Sequence, residues 1–166
     1  MRSLPYLLRP VQCTINVSGC HNQLYIPSTV CLHNVTFTFE GDHNKISIGN
    51  YTSTEGRVEF CACESKCINV GEGCMFSHDI SVRTTDSHPI FDADGKRINE
   101  AKEINIGNKV WIGFQSLILK GASIPDGCIV GARSVVTASM DCFSNSLIAG
   151  HPAKVIRENV SWIRKR

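Results

Sequence analysis

The chain has 166 residues, of which 42% are apolar and 19% charged, a composition typical of one folded globular domain rather than of a disordered chain. Seventeen lysines and arginines against 15 acidic residues give a net charge of +2, which is too weak to predict nucleic-acid binding. No apolar run approaches the roughly 18 residues that a membrane span needs, so we expect no membrane span.

The N-terminal segment, residues 1–10, has only a short apolar stretch, which Pro5 interrupts. This stretch is too short for the apolar region of a secretory signal. We therefore expect a cytoplasmic protein, and we expect its nine cysteines to be reduced and mostly buried thiols.

Three of these cysteines form a C-x-C-x3-C cluster that begins at Cys61. The cluster lacks the C-x2-C pairs of ordinary zinc sites, so zinc is the weaker interpretation and we predict no metal. A disulfide scaffold stays open as a second alternative.

The chain between residues 15 and 45 is strand-like but shows no steady period. We interpret residues 1–45 as irregular first coils of a repeat that becomes regular further along.

The regular part of the repeat has a period of six. A helix would space its apolar residues by three and four, which this segment does not do. A six-residue period predicts a short strand and a corner, three of which complete one turn of a triangular prism, with successive turns about 4.8 Å apart. Each inward aliphatic residue then stacks on its equivalent in the next turn. The aliphatic positions are Ile106, Ile112, Ile118, Ile124, Val130 and Val136, and compact residues follow four positions later at Val110, Ser116, Ala122, Cys128 and Ser134.

The same phase appears upstream at Val70, Phe76 and Val82, so we predict a single domain with repeat coils over 46–150. The polar segment 83–103 has no repeat and is expected to leave the prism as a loop. Ordered loops of about 20 residues are often functional. The tail, 151–166, is expected to form a short C-terminal helix that covers the open end of the stack.

The order and spacing of several motifs identify a family resemblance. The chain resembles hexapeptide-repeat acyltransferases with the left-handed parallel β-helix fold, which is all-β. It is similar to galactoside and maltose acetyltransferases and, more closely, to O-acetyltransferases that modify capsular and lipopolysaccharide sugars. The motifs are SVRTTDSHPIFD (81–92), GKRIN (95–99), IGNKVWIG (106–113), the segment 118–137 and AGHPAKVIRE (149–158).

The resemblance implies direct acetyl transfer without an acyl-enzyme, with His88 as the general base. Pro89 restricts His88 to an extended conformation, and a neutral imidazole can take a proton from a hydroxyl near neutral pH. Asp86 lies two residues earlier and either orients His88 or forms a turn that caps the loop. We place both His88 and Asp86 in the candidate catalytic set.

The resemblance also implies acetyl-CoA as cosubstrate, in a cleft between neighbouring prisms of a homotrimer. Phe114 stands where the galactoside enzyme has serine, so one hydrogen bond to the cofactor is expected to be missing. Residues 154–166 carry five basic groups and one acidic group, which suits the phosphates of the cofactor. The candidate cofactor residues are Trp111, Gly113, Phe114, Gly131, Ala132, Thr137, Lys154 and Arg157, and the candidate acceptor residues are Met75, Ser77, His78, Asp79, Arg83 and Arg97.

The expected activity is transfer of acetyl to a sugar hydroxyl, in a bacterial surface polysaccharide or its precursor. An N-acetyltransferase of an amino sugar or xenobiotic on the same fold is the first alternative. A zinc-dependent prism enzyme would need three histidines, and only His78 and His88 stand at suitable places. A non-catalytic scaffold is the remaining alternative.

Overall fold

The computed structural model describes residues 12–165. The expected absence of a secretory signal at residues 1–10, and the first part of the predicted irregular coils, lie outside this range. Within it the chain winds through three sheets in turn, so that most neighbouring strands are three elements apart along the chain.

The first sheet carries the longest strands. Its order from one end of the stack to the other is β1 (Cys13–Ser18), β3 (Val35–Glu40), β6 (Val58–Cys63), β9 (Ile80–Arg83), β12 (Leu117–Leu119) and β15 (Val135–Val136).

The second and third sheets complete the three-sided prism. The second holds β2 (Gln23–Tyr25), β4 (Lys45–Ile48), β7 (Cys67–Val70), β10 (Ile104–Ile106) and β13 (Ser123–Ile124). The third holds β5 (Ser53–Thr54), β8 (Met75–Phe76), β11 (Trp111–Ile112), β14 (Ile129–Val130), β16 (Leu147–Gly150) and β17 (Ala153–Arg157).

All neighbouring strands pair in parallel except β16 and β17. The predicted all-β parallel β-helix is confirmed. The interior follows the predicted period, because all six aliphatic repeat positions are buried and the compact residues four positions later are buried as well.

The length of one turn differs along the stack. Asn105 lies opposite Ser123, so the coils near the C-terminal end have the predicted turn of three six-residue units. Leu24 lies opposite Ile46, which in turn lies opposite Ile68, so the coils near the N-terminal end have longer turns. We call residues 13–76 the wide coils and residues 104–150 the narrow coils. The segment 15–45 therefore lacks a six-residue period because its turns are longer, although its strands pair in regular register.

The predicted C-terminal helix is wrong. After a cis peptide bond before Pro152, β17 pairs antiparallel with β16, and residues 158–165 contain no helix. Instead the indole Nε1 of Trp162 donates to the carbonyl of Lys109 at 2.7 Å, and Arg164 donates to the carbonyl of Cys74 at 3.0 Å. An extended chain rises about 3.3 Å per residue against about 1.5 Å for a helix, so residues two apart in the extended tail are separated by more than the spacing of one coil.

All nine cysteines are free thiols, but only four of them are buried, so the expectation that most would be buried is wrong. Within residues 12–165, no helix has the length and apolar composition that a membrane crossing requires.

Candidate functional site

The predicted loop leaves the prism between β9 and β10, at the corner where the first and second sheets meet. Its base is fixed to the coil beneath it by a buried threonine. The Thr84 amide donates to the Cys61 carbonyl at 3.1 Å, while the Cys63 amide donates to the Thr84 hydroxyl at 2.9 Å. The returning end of the loop is held by the same residue, because the Lys102 amide donates to the Thr84 carbonyl at 3.0 Å.

Beyond its base the loop folds back on itself as a short hairpin. The Ile98 amide donates to the Ile90 carbonyl at 2.9 Å, and Phe91 bridges to Arg97. The Asp92 carboxylate closes the turn by accepting the amides of two residues that follow it. The hairpin thus has its own backbone hydrogen bonds although it lies outside the prism.

Asn99 holds the candidate catalytic segment in place. Its side-chain amide donates to the His88 carbonyl at 2.8 Å and to Asp86 Oδ2 at 3.0 Å, and its Oδ1 accepts the Ile90 amide at 2.7 Å. Asn99 is buried, unlike the residues on either side of it. It lies in the GKRIN motif but was missed as a site residue, because asparagine in a polar loop is usually a turn residue.

Asp86 is anchored to the narrow coils by Lys120. The Lys120 ammonium lies 2.5 Å from Asp86 Oδ2 and also donates to the Asn99 carbonyl at 2.9 Å. The hydrogen bond from Lys120 lowers the pKa of Asp86 below its ordinary value, with a further contribution from Asn99. No hydrogen bond joins Asp86 to the His88 imidazole within residues 12–165. The contacts that the structure shows for Asp86 are those that hold the loop.

A second ion pair ties the loop to the wide coils. Arg97 forms a bidentate pair with Glu64 at 2.7 and 2.8 Å, and the Thr85 hydroxyl donates to the same carboxylate at 2.9 Å. The hydrogen bond from Arg97 lowers the pKa of Glu64. Arg97 was predicted to contact the acceptor, but its guanidinium is engaged within the chain.

His88 differs from these anchoring residues. Its backbone is held by Asn99, while its side chain is exposed and its ring has no hydrogen-bond or ion-pair partner within residues 12–165. A fixed backbone with a free imidazole is the arrangement that a proton acceptor for an incoming hydroxyl requires.

Trp111 lies on the third sheet, away from the loop. It is opposite Met75 in the sheet, and its Nε1 is 3.5 Å from the Ser77 hydroxyl. The ring of Trp162 lies with its centroid 6.1 Å from that of Trp111. Two predicted acceptor residues therefore contact the predicted cofactor residue, and the tail adds a second tryptophan that sequence reasoning assigned to a helix.

The corner between the third and first sheets brings Phe114 and His78 together. Their ring centroids lie 4.7 Å apart in an edge-to-face arrangement. The adjacent Asp79 is paired with Arg57 at 2.8 Å. Gly113 is a structural requirement here, because a Cβ at this position would lie 2.7 Å from the Ala132 amide nitrogen.

The other candidate residues are placed as follows. Gly131 would carry a Cβ only 2.8 Å from that of Ala149, so it also serves coil stacking. The hydroxyl of Thr137 lies 3.0 Å from that of Ser139. Ala132 is exposed, Lys154 and Arg157 are exposed on β17, and Arg83 lies on β9 beside the loop.

Within one chain the structure does not bring His88 and Trp111 to one place. The loop leaves at the first corner, between sheets one and two, whereas Trp111 and Phe114 lie on the third sheet and at its corner with the first.

Comparison with known proteins identifies the group to which this architecture is related. The chain is 37% identical over 73% of its length to a polysialic acid O-acetyltransferase of Escherichia coli, and 42% identical over 68% to one of Neisseria meningitidis. It covers 39% and 53% of the length of these two relatives, so it spans about half the length of the curated proteins it matches. No protein-family model matches the chain.

Solved structures support the relationship over nearly the whole chain. A polysialic acid O-acetyltransferase structure superimposes with a TM-score of 0.69 and 29% identity, covering 93% of this chain and 92% of the other. The chain is a homologue of the hexapeptide-repeat acetyltransferases. Two other structures of this fold, 17% and 21% identical to the chain, hold coenzyme A.

Proposed function

We propose that the chain is an acetyl-CoA-dependent acyltransferase that transfers acetyl to a hydroxyl of a sugar, in a bacterial surface polysaccharide or its precursor. The observation that carries the proposal is the exposed imidazole of His88. Its backbone is held by Asn99, in a loop that two ion pairs attach to the coils. The names of these two relatives support a sugar acceptor, and polysialic acid is the first acceptor to test.

The chemistry assigned to the chain is proton transfer at His88. Its imidazole takes the proton of the acceptor hydroxyl as that oxygen bonds to the acetyl carbon, and returns it to the sulfur as the carbon–sulfur bond breaks. Acetyl-CoA would supply the acetyl group as a thioester, and coenzyme A would leave as the free thiol. Asp86 stays a carboxylate beside Lys120 and holds the loop, so it is a positioning residue here.

The residues present fit the cofactor at both of its ends. Trp111 offers a half-buried aromatic face beside Met75 for the acetyl and pantetheine end. Lys154 and Arg157 are exposed cations on β17 that suit phosphate groups, Arg157 as a bidentate donor and Lys154 as a point charge. Phe114 has no polar atom in its side chain, so the missing hydrogen bond expected from the sequence remains a prediction.

The active unit we propose is a homotrimer in which the loop of one chain meets the third sheet of its neighbour. The separation of His88 from Trp111 within one chain supports this arrangement. We place the enzyme in the cytoplasm, where acetyl-CoA is available and where free thiols such as those of this chain stay reduced.

The direct test is acetyl-CoA turnover over a panel of sugars, with His88→Ala compared with the unmodified chain. We expect kcat to fall by at least about 10²-fold, the usual contribution of a general base, with little change in the KM for acetyl-CoA. His43→Ala is the matched control, because His43 is also exposed but lies on a different coil.

Equal thiol release by both proteins would contradict the role of His88. The product separates the two acyl-transfer chemistries, because alkali cleaves an O-acetyl ester and leaves an N-acetyl amide intact. An alkali-stable product would replace the proposed hydroxyl acceptor with an amine.

A further inference from the structure

A cluster of thiols and a carboxylate lies on the outer face of the first sheet, outside the proposed acyl-transfer site. Phe60 and Ala62 point their side chains into the core from β6, so the alternate residues Cys61 and Cys63 lie on the other face of the strand. Glu40, at the end of β3, is opposite Cys63 in the parallel register. Residues of two successive coils thus converge at one point.

The distances within the cluster suit a metal ion. The two sulfur atoms are 3.5 Å apart, and Cys63 Sγ is 3.5 Å from Glu40 Oε2. All three candidate ligand atoms lie within 4.8 Å of one another. A tetrahedral zinc ion, with bonds of about 2.3 Å to sulfur and about 2.0–2.2 Å to oxygen, places sulfur atoms about 3.8 Å apart and sulfur about 3.5 Å from oxygen.

We propose that Cys61, Cys63 and Glu40 bind a thiophilic divalent cation of the zinc type, with a water molecule as the fourth ligand. Both cysteines are only 3% exposed, whereas Glu40 is exposed, so water can reach the cluster from the side of Glu40. Three protein ligands and one open position are a common zinc arrangement.

The surrounding charge also suits the ion. Two thiolates, one carboxylate and a divalent cation leave one negative charge, and Arg83 is opposite Cys61 in the sheet. The Nε atom of Arg83 is buried and has no hydrogen-bond partner within residues 12–165. Glu59 lies two residues before Cys61 on the same face of β6, and its negative charge favours a cation.

The structure gives the zinc site that the sequence allowed a different third ligand. The C-x-C-x3-C pattern suggested Cys67 as the third ligand, but Cys67 lies on β7 in the second sheet. The carboxylate of Glu40 takes its place, from the preceding coil. A short sequence motif cannot show Glu40 as a ligand, because the length of the turn in the wide coils decides which residue lies opposite Cys63.

The ion would join β3 to β6 directly beneath the loop. The Cys63 amide donates to Thr84 at the base of the loop, and the next residue, Glu64, holds Arg97. Metal binding is therefore expected to stabilise the platform on which the loop rests. The site does not depend on the proposed acyl transfer.

Cobalt provides a spectroscopic test on the full chain. The protein is freed of metal with a chelator, its thiols are reduced and counted, and Co²⁺ is added. We expect one equivalent of cobalt to bind, with the sulfur-to-cobalt charge-transfer band and the visible bands of a tetrahedral ion, and zinc to displace it.

Variants identify the ligands. Cys61→Ser and Cys63→Ser should each weaken cobalt binding by at least about 10- to 100-fold, and Glu40→Gln, an exposed position that leaves the core unchanged, should shift the visible bands. Cys67→Ser is the control and should bind like the unmodified chain. Zinc should raise the Tm of the unmodified chain and of Cys67→Ser, but not of Cys63→Ser.

Three results would overturn the proposal. The first is fully reduced protein that gives no stoichiometric cobalt spectrum. The second is a spectrum that survives Cys61→Ser and Cys63→Ser but is lost in Cys67→Ser. The third is a Cys61–Cys63 disulfide in protein purified without reductant, together with no metal binding after reduction.

Discussion

The wide and narrow coils use one winding pattern but fill it differently. In the wide coils the first-sheet strands β3 and β6 are six residues long, and Phe37 stacks on Phe60 with ring centroids 5.5 Å apart. In the narrow coils the corresponding strands β12 and β15 have three and two residues. The buried apolar residues of the narrow coils are aliphatic side chains and one cysteine, with no aromatic ring among them.

The difference explains where the loop lies. The longer first-sheet strands of the wide coils extend beyond the shorter strands of the narrow coils, and this leaves a step at the first corner. Thr84 and Thr85, both buried, cover the end of β6 at this step. The loop is then tied to the wide coils by Glu64–Arg97 and to the narrow coils by Asp86–Lys120. A change of coil width thus provides a base for the segment that carries His88.

The largest effect is expected where an aromatic ring fills the wide coils. Phe60 is 1% exposed and contacts both Phe37 and Phe76. Phe60→Ala should reduce the free energy of unfolding by about 3–5 kcal/mol, measured by denaturant unfolding, because the cavity cannot collapse within a stack of hydrogen-bonded coils. Phe143→Ala, at a position 73% exposed, is the control and should change little. Equal stability of the two variants would show that the wide coils do not need their aromatic interior.

The sequence predicted the inward positions of the narrow coils better than those of the wide coils. The inward positions from Ile106 to Val136 were all found, because each turn there contains three equal units and the period is visible in the sequence. In the wide coils only the last inward positions, Val70 and Phe76, were found, because the longer turn places equivalent residues such as Ile46 and Ile68 at a spacing that no six-residue period contains.

The candidate site was likewise predictable only where a motif names a residue. His88 and Trp111 stand in motifs and were named. Asn99, Lys120 and Glu64 act through contacts 9 to 34 residues away along the chain, so their residue types alone gave no signal. The tail was predicted as a helix because the backbone acceptors that hold Trp162 and Arg164 belong to distant coils.

The second prediction tests whether Asn99 keeps the loop ordered at the junction of the wide and narrow coils. Asn99→Ala removes four hydrogen bonds from a buried position and leaves the Ile90 amide without its acceptor. We expect a local loss of about 1–3 kcal/mol, seen as faster hydrogen exchange of the loop amides with unchanged exchange in the narrow coils. Asn105→Ala, which removes an exposed contact with Asn69, is the control. Unchanged protection of the Ile90 amide in Asn99→Ala would contradict the anchoring role.

The smallest effect concerns the ion pair that joins the loop to the narrow coils. Because the folded state lowers the pKa of Asp86, its contribution to loop attachment is present above the ordinary carboxyl pKa, about 3.9, and is lost as the pH falls through the lower folded value. Lys120→Met should raise the pKa of Asp86, followed by NMR titration of its carboxyl carbon, so that acid releases the loop at a higher pH. Lys109→Met, on another corner, should leave the titration unchanged. The same titration of Asp86 in all three proteins would show that Lys120 does not set the charge of the loop.

The most direct test of the account is complementation between two inactive variants, because the loop and the Trp111 face are proposed to act from neighbouring chains. His88→Ala and Trp111→Ala are expressed separately and together, and acetyl transfer to the sugar acceptor is measured. In randomly mixed trimers about a quarter of the sites combine an intact loop with an intact tryptophan, so coexpression should restore about that share of the unmodified activity. Activity of the coexpressed pair no greater than the mean of the separate variants would contradict a site shared between chains.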